Sequence, residues 1–251
     1  ILRLRKERTG QLSTMLAVSL PTTDLSEDHE LQVIETFNSV ILPFTWRDIQ
    51  PHSVGFAWDT LDQSVQWCKS QGLRVCGGPL IQLDNLKLPK WLRASDVHSA
   101  YFENLAMRFI EEVGDRSMDD VHIWFCTSRL NVGGPVSLSE EHKLRLSVAA
   151  VESVRRISPR APVVVGFDQP WAEYLAEDDF DLSPLHFADA LVRADLGIAG
   201  VGLEVNLGYW PKGTLARDLL EISRHIDRWS LLGIPLIVLL RTPSCDGPDR
   251  L

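Results

Sequence analysis

No apolar run in the 251 residues reaches the ~18 that would carry a helix across a bilayer, so no membrane-spanning helix is expected. Positive charge is in deficit: 25 Lys and Arg stand against 34 Asp and Glu, a formal net charge of -9. A nucleic-acid binder needs a basic surface, so no nucleic-acid partner is expected. Cysteine is scarce. Cys68, Cys76, Cys126 and Cys245 form no CxxC pair, which indicates neither a disulfide framework nor a zinc site, and no metal or other cofactor is expected. Cys76 and Cys126 lie in apolar runs and read as small core residues, and reduced thiols favour a cytoplasmic setting. No glycine-rich phosphate loop follows the first apolar run, which removes the dinucleotide-binding folds. His98, His122, His142, His186 and His225 are scattered, without the paired ligand that a metal site needs, and receive no role.

What the chain does have is a steady alternation of apolar strand-like runs and helix-like segments. The strands read at 13–21, 39–46, 73–84, 121–131, 161–171, 198–210 and 234–243. Between them lie helices at 24–37, 58–72 and 96–114, then "SEEHKLRLSVAAVESVRRI", "SPLHFADALVRADLG" and "ARDLLEISRHIDRWSLLG". Asp24 with Glu27, and Ser137 with Glu140, have capping-box spacing, and Ser183-Pro184 is an N-cap followed by proline at the first helical position. In the last helix Leu219, Ile222, Ile226 and Trp229 share one face. Continuous apolar strands that alternate with helices predict an α/β fold with a parallel sheet covered by helices. Polar and aromatic residues follow nearly every strand, which favours a (β/α)8 TIM barrel over an open doubly wound sheet. Only seven βα units are visible, so the barrel is expected either to be open or to have its eighth unit outside this stretch. Residues 1–12 read as the end of a preceding element or linker in a longer chain, and 13–251 as the barrel domain.

In such a barrel the strand ends build the site. The residues placed there are Trp46, Gln82, Asp84, Arg129, Asp168, Trp171, Glu204, Asn206, Tyr209, Trp210 and Arg241. The aromatics offer faces to sugar rings, and the polar groups offer hydrogen bonds. The segment from Phe37 to Leu92 resembles the N-terminal half of glycoside hydrolase family 10, the xylanase-like barrels. The likeness is carried by Gln50-Pro51, Gly55, Phe56, Trp58, Asp62, Gly72, Val75 and the run from Pro89 to Leu92. "VGLEVNLGYW" and "LLGIPLIVLL" have the layout of that family's sixth and seventh strands.

The resemblance implies a saccharide ligand and retaining hydrolysis by two glutamates, one on the fourth strand and one on the seventh. Laid on those strands, the acid/base position falls on Arg129 and the nucleophile position on Leu240. Retention needs two carboxylates about 5 Å apart, and neither a guanidinium nor a leucine serves. Three readings follow: a xylanase-like barrel without retaining hydrolysis that binds a saccharide; an active glycosidase using Asp168 and Glu204 as relocated carboxylates; or a non-catalytic interaction domain of a larger bacterial protein. Because side-chain layers in a barrel draw on alternate strands, Arg129 is expected to pair with Glu204.

Overall fold

In a computed structural model, residues 14–20, 25–92, 99–176, 180–208 and 213–242 are described. Eight strands lie in one sheet: β1 (Ala17–Ser19), β2 (Ser39–Leu42), β3 (Arg74–Gly77), β4 (Ile81–Gln82), β5 (Ile123–Ser128), β6 (Val163–Asp168), β7 (Gly200–Asn206) and β8 (Leu236–Arg241). The order is β1-β2-β3-β5-β6-β7-β8, with β4 also beside β5, and every pair is parallel. β3 and β4 are two halves of one strand position. Between them the chain bends at Gly78, where a Cβ would lie 2.1 Å from the Phe125 carbonyl oxygen, so only glycine allows this approach. The single strand expected at 73–84 is therefore split. The result is a parallel (β/α) barrel wall of seven strand positions. Among the described residues no pairing joins β1 to β8.

The helices are α1 (Glu27–Thr36), the short α2 (Trp46–Ile49), α3 (Asp59–Ser70), α4 (Ser99–Ser117), α5 (Glu140–Ile157), α6 (Pro184–Arg193) and α7 (Leu219–Ser230). Ser183 caps α6 as expected, with its hydroxyl accepting from His186 N and Pro184 opening the first turn. Two caps fall elsewhere than the capping-box spacing suggested: Ser26 precedes α1, and Ser139 caps α5 by accepting from His142 N. Glu140 and Glu141 at the start of α5 and Arg155 and Arg156 at its end both oppose the helix dipole. Residues 1–12, expected to belong to a preceding element, lie outside the described residues.

Strand alternation divides the side chains between two cores. Facing the helices are Val40, Val75, Trp124, Cys126, Val163, Val165, Phe167, Val201 and Leu203, packed with the apolar faces of the helices. Inside the sheet's curve Ile41, Cys76, Ile123, Phe125, Val164, Ile237 and Leu239 form a second, smaller cluster. Gly202 sits on that inner face, and a Cβ there would lie 2.8 Å from Cε1 of Phe125 and 3.2 Å from Cδ1 of Leu239. The Phe125 ring thus uses the space that Gly202 leaves. We expect Gly202→Ala to destabilise the domain by about 1–3 kcal/mol through overpacking, and Phe125→Leu in the same chain to recover much of the loss. Denaturant unfolding of both variants checks this, with equal stability of Gly202→Ala and parent as the failing result.

Candidate functional site

The inner-face alternation carries a column of polar groups to the C-terminal ends of β5 to β8. Asp168 and Glu204 are direct neighbours in the β6–β7 register, and Asn206 and Arg241 are neighbours one layer further out. β5 needs an extra step to reach the same layer. Its pairing with β6 shifts register between Phe125 and Thr127. That shift turns Ser128 inward, beside Gly166, where its hydroxyl donates to Glu204 Oε1. Arg129 then follows in the left-handed region, at φ 61°. Its guanidinium meets Asp168 Oδ2 at 3.1 Å and Asp84 Oδ2 at 3.8 Å. The expected Arg129–Glu204 ion pair is therefore absent. The reason is the bulge: Ser128, not Arg129, is the residue at the tip of β5 that faces Glu204.

Asp168 is held on every side. Its Oδ1 accepts from Asn206 Nδ2 at 2.7 Å and from the Gln169 amide at 2.8 Å. Asn131 clamps its backbone, donating to the Asp168 carbonyl at 2.7 Å and accepting from the Asp168 amide at 3.2 Å. Burial pushes the Asp168 carboxyl up from its ordinary pKa, while Arg129, the Gln169 amide and Asn206 pull it back. A guanidinium and two donors favour the charged form of Asp168 against that burial. Glu204 is pushed up by burial first and then by the charge of Asp168, with only Ser128 and the more distant Arg129 and Arg241 opposing. Glu204 thus has fewer close groups favouring its charged form than Asp168 has.

The other expected site residues are dispersed. Asp84 turns the loop after β4, accepting from Leu86 N at 2.6 Å with the oxygen that does not face Arg129. Gln82 lies in β4 and is partly buried. Trp46 is a correction. It was expected at the mouth but is 2% exposed, stacked on Phe109 at 5.1 Å, with its indole nitrogen donating to Gln50 Oε1 at 2.8 Å. It opens α2 just past β2, so its ring folds down among the helices. Trp171 is half-buried, stacked on His225 at 4.3 Å and lying beneath Arg217, so its faces are largely taken by protein. Leu240 is 64% exposed and shares the outer face of β8 with Val238. Leu240 is therefore not the inward position on this strand; Leu239 and Arg241 are, and no residue of β8 carries a carboxylate. Tyr209 and Trp210 lie outside the described residues. Ser128, Asn131 and His225 were not foreseen as parts of the site. Among the described residues no group of His, Cys, Asp or Glu is arranged to hold a metal ion.

No family model matches the sequence, and no curated protein sequence does. Solved structures do. A GH10 xylanase from Thermobacillus composti superposes with a TM-score of 0.70 at 14% identity, over 94% of this chain and 70% of that one. The chain has the fold of the GH10 xylanase barrels. A GH10 protein from Paenibacillus barcinonensis gives a TM-score of 0.71 at 14% identity, over 94% and 73% of the two chains. Xylanase 10B from Thermotoga petrophila, solved with xylobiose, gives 0.67 at 14%, over 92% and 72%. At such identities the likeness is one of fold, and the chemistry of this GH10-like barrel rests on its own residues.

Two outcomes follow from the charges. Arg129→Met leaves the Asp168 carboxylate, which is fully buried, without its counter-ion and should cost about 3–5 kcal/mol, while adding Asp168→Asn should restore most of it. Chemical denaturation of the single and double variants tests the pairing, and an undisturbed Arg129→Met refutes it. Glu204 has its folded pKa raised, so it destabilises the fold as pH rises from the ordinary carboxyl value of ~4.3 through the folded value. Glu204→Gln should therefore gain on the order of 1 kcal/mol at neutral pH and flatten that decline. Melting temperature against pH reads this directly, and an unchanged slope counts against it.

Proposed function

We propose that this GH10-like barrel binds a saccharide and does not hydrolyse it. The observation that carries the reading is the Arg129–Asp168 ion pair at 3.1 Å, which ties up the carboxylate best placed to attack or to activate water. The ends of β5 and β8, where the resemblance calls for glutamates, carry none. Hydrolysis with either stereochemical outcome needs two carboxyl groups free to act on opposite sides of the scissile bond. Here Asp168 is paired with Arg129 and accepts from Asn206, and Glu204 accepts from the Ser128 hydroxyl. The hydrogen-bonding groups of Gln82, Asp84 and Arg241, next to an apolar inner wall, suit sugar hydroxyls and ring faces. The Thermotoga petrophila enzyme of the same fold was solved with xylobiose, which makes xylo-oligosaccharides the first ligands to try.

A second reading has one specific observation behind it. Asp168 and Glu204 are neighbours in register, one charged and one inclined to keep its proton, as an acid and a base would be. The two readings part cleanly in a test with purified protein. We expect xylo-oligosaccharide binding by calorimetry and no reducing-sugar release from xylan above background. Activity that disappears in both Asp168→Asn and Glu204→Gln would establish the relocated pair instead. Failure to bind any glycan would remove the saccharide reading and leave a non-catalytic interaction domain.

A further inference from the structure

His225 stands where the last helix meets the turn that follows Asp168. Its ring stacks on Trp171 at 4.3 Å with 15° between the planes. Its Nε2 lies 2.7 Å from the Pro170 carbonyl oxygen and 2.9 Å from the Trp229 indole nitrogen. These two neighbours make opposite demands. A carbonyl oxygen only accepts and an indole N–H only donates, so one ring nitrogen satisfies one of them at a time. With a bare Nε2 the ring accepts from Trp229 and turns a lone pair toward the Pro170 oxygen. With a proton on Nε2 it donates to Pro170 and opposes the indole N–H.

The two partners differ in what they can do alone. Trp229 is fully buried, and among the described residues its indole nitrogen has no other acceptor. Leaving that N–H unpaired carries the full desolvation cost of a buried donor. Pro170 belongs to the turn Gln169–Ala172, in which Gln169 at φ 47° and Ala172 at φ 66° both adopt the left-handed region that side chains resist. The same turn begins with the amide that donates to Asp168.

We propose that His225 is a positioning residue with two proton-dependent settings: a bare Nε2 holds Trp229, a protonated Nε2 holds Pro170, and proton uptake moves the ring's grip from the helix core to the turn that carries Asp168. The charged groups around the ring come from each neighbouring segment. Glu173 follows the turn, Arg217 precedes α7 and is paired to both Glu173 and Glu221, and Arg228 lies on α7 itself. Burial lowers the ring's pKa from its ordinary value; the Pro170 carbonyl and Glu173 oppose this, and Arg228 and Arg217 add to it. The ring is therefore biased toward its neutral form. The buried Trp229 N–H, which has only Nε2 to donate to among the described residues, favours the tautomer with the proton on Nδ1 and Nε2 bare. Acidification adds a proton to Nε2 and engages the turn.

The test is nitrogen-15 NMR of the His225 ring, which separates a protonated from a bare nitrogen, in parent protein and two variants. In the parent, Nε2 should be bare on the alkaline side and protonated on the acid side, and the backbone amides of Gln169–Ala172 should titrate with it. Trp229→Phe removes the indole donor, and Nε2 should then carry its proton throughout. His225→Gln offers Pro170 a permanent amide donor, and the turn amides should stop titrating. An Nε2 that is protonated on the alkaline side in the parent, or still bare there in Trp229→Phe, overturns the proposal. Turn amides that titrate unchanged in His225→Gln overturn it too. None of these readouts needs a ligand, so they stand or fall apart from the saccharide reading.

Discussion

A guanidinium between two carboxylates organises the mouth of this barrel. Asp168 is fully buried at the end of β6, a position where an isolated charge would be too costly to keep. Arg129 makes it tolerable, and three further groups complete its shell: Asn206 from β7, the Gln169 amide from the following turn, and Asn131, which fixes its backbone from the loop after β5. The consequence is a division of labour between adjacent carboxyls. Arg129, Asn206 and the Gln169 amide favour the charged form of Asp168, while burial and the neighbouring Asp168 push the Glu204 carboxyl up. Two carboxyls that sit side by side in register thereby have different surroundings.

How far this was readable from the sequence depends on the layer considered. The parallel βα order follows from apolar runs of strand length separated by capped, amphipathic segments, because burial on both faces of a strand leaves a continuous apolar signature. Asp168, Arg129, Glu204 and Asn206 could be placed at strand ends by the same reasoning. Their pairing could not. It is set by the register shift between Phe125 and Thr127, a one-residue irregularity that leaves no mark in "IWFCTS" and decides which of Ser128 and Arg129 faces inward. Leu240 is the same lesson on another strand. Counting from Gly233 and Pro235 places it at a catalytic position, yet alternation along β8 turns it outward and turns Arg241 in. Trp46 misled for a different reason: an aromatic after a strand marks the mouth only if the chain continues along it, and here a short helix starts at once.

The outer face of β8 sets the barrel's electrostatics against its packing. Every inner strand has its helix-facing side buried, whereas Val238 and Leu240 on β8 are 45% and 64% exposed, and Leu219 and Leu220 at the start of α7 are exposed as well. Arg241, at the tip of this same strand, is the mouth cation with the least support. Among the described residues it makes no ion pair, although its charge reaches both Asp168 and Glu204. The Asp168 shell thus rests on β5, β6 and β7, and Arg241 rests on β8, which among the described residues pairs with β7.

That asymmetry bears on which chemistry the mouth can sustain. Electrostatic catalysis requires groups fixed before the substrate arrives, and only the Asp168 shell meets that condition. Its carboxylate, however, is already paired, so a substrate would have to compete with Arg129 to recruit Asp168. Binding makes no such demand. A polar ligand group can add to Asp84 and Arg241 while the ion pair stays closed, and the energy of that contact goes into affinity rather than into displacing a buried charge. The proposal of binding without cleavage rests on this difference between a paired buried carboxylate and the polar groups around it.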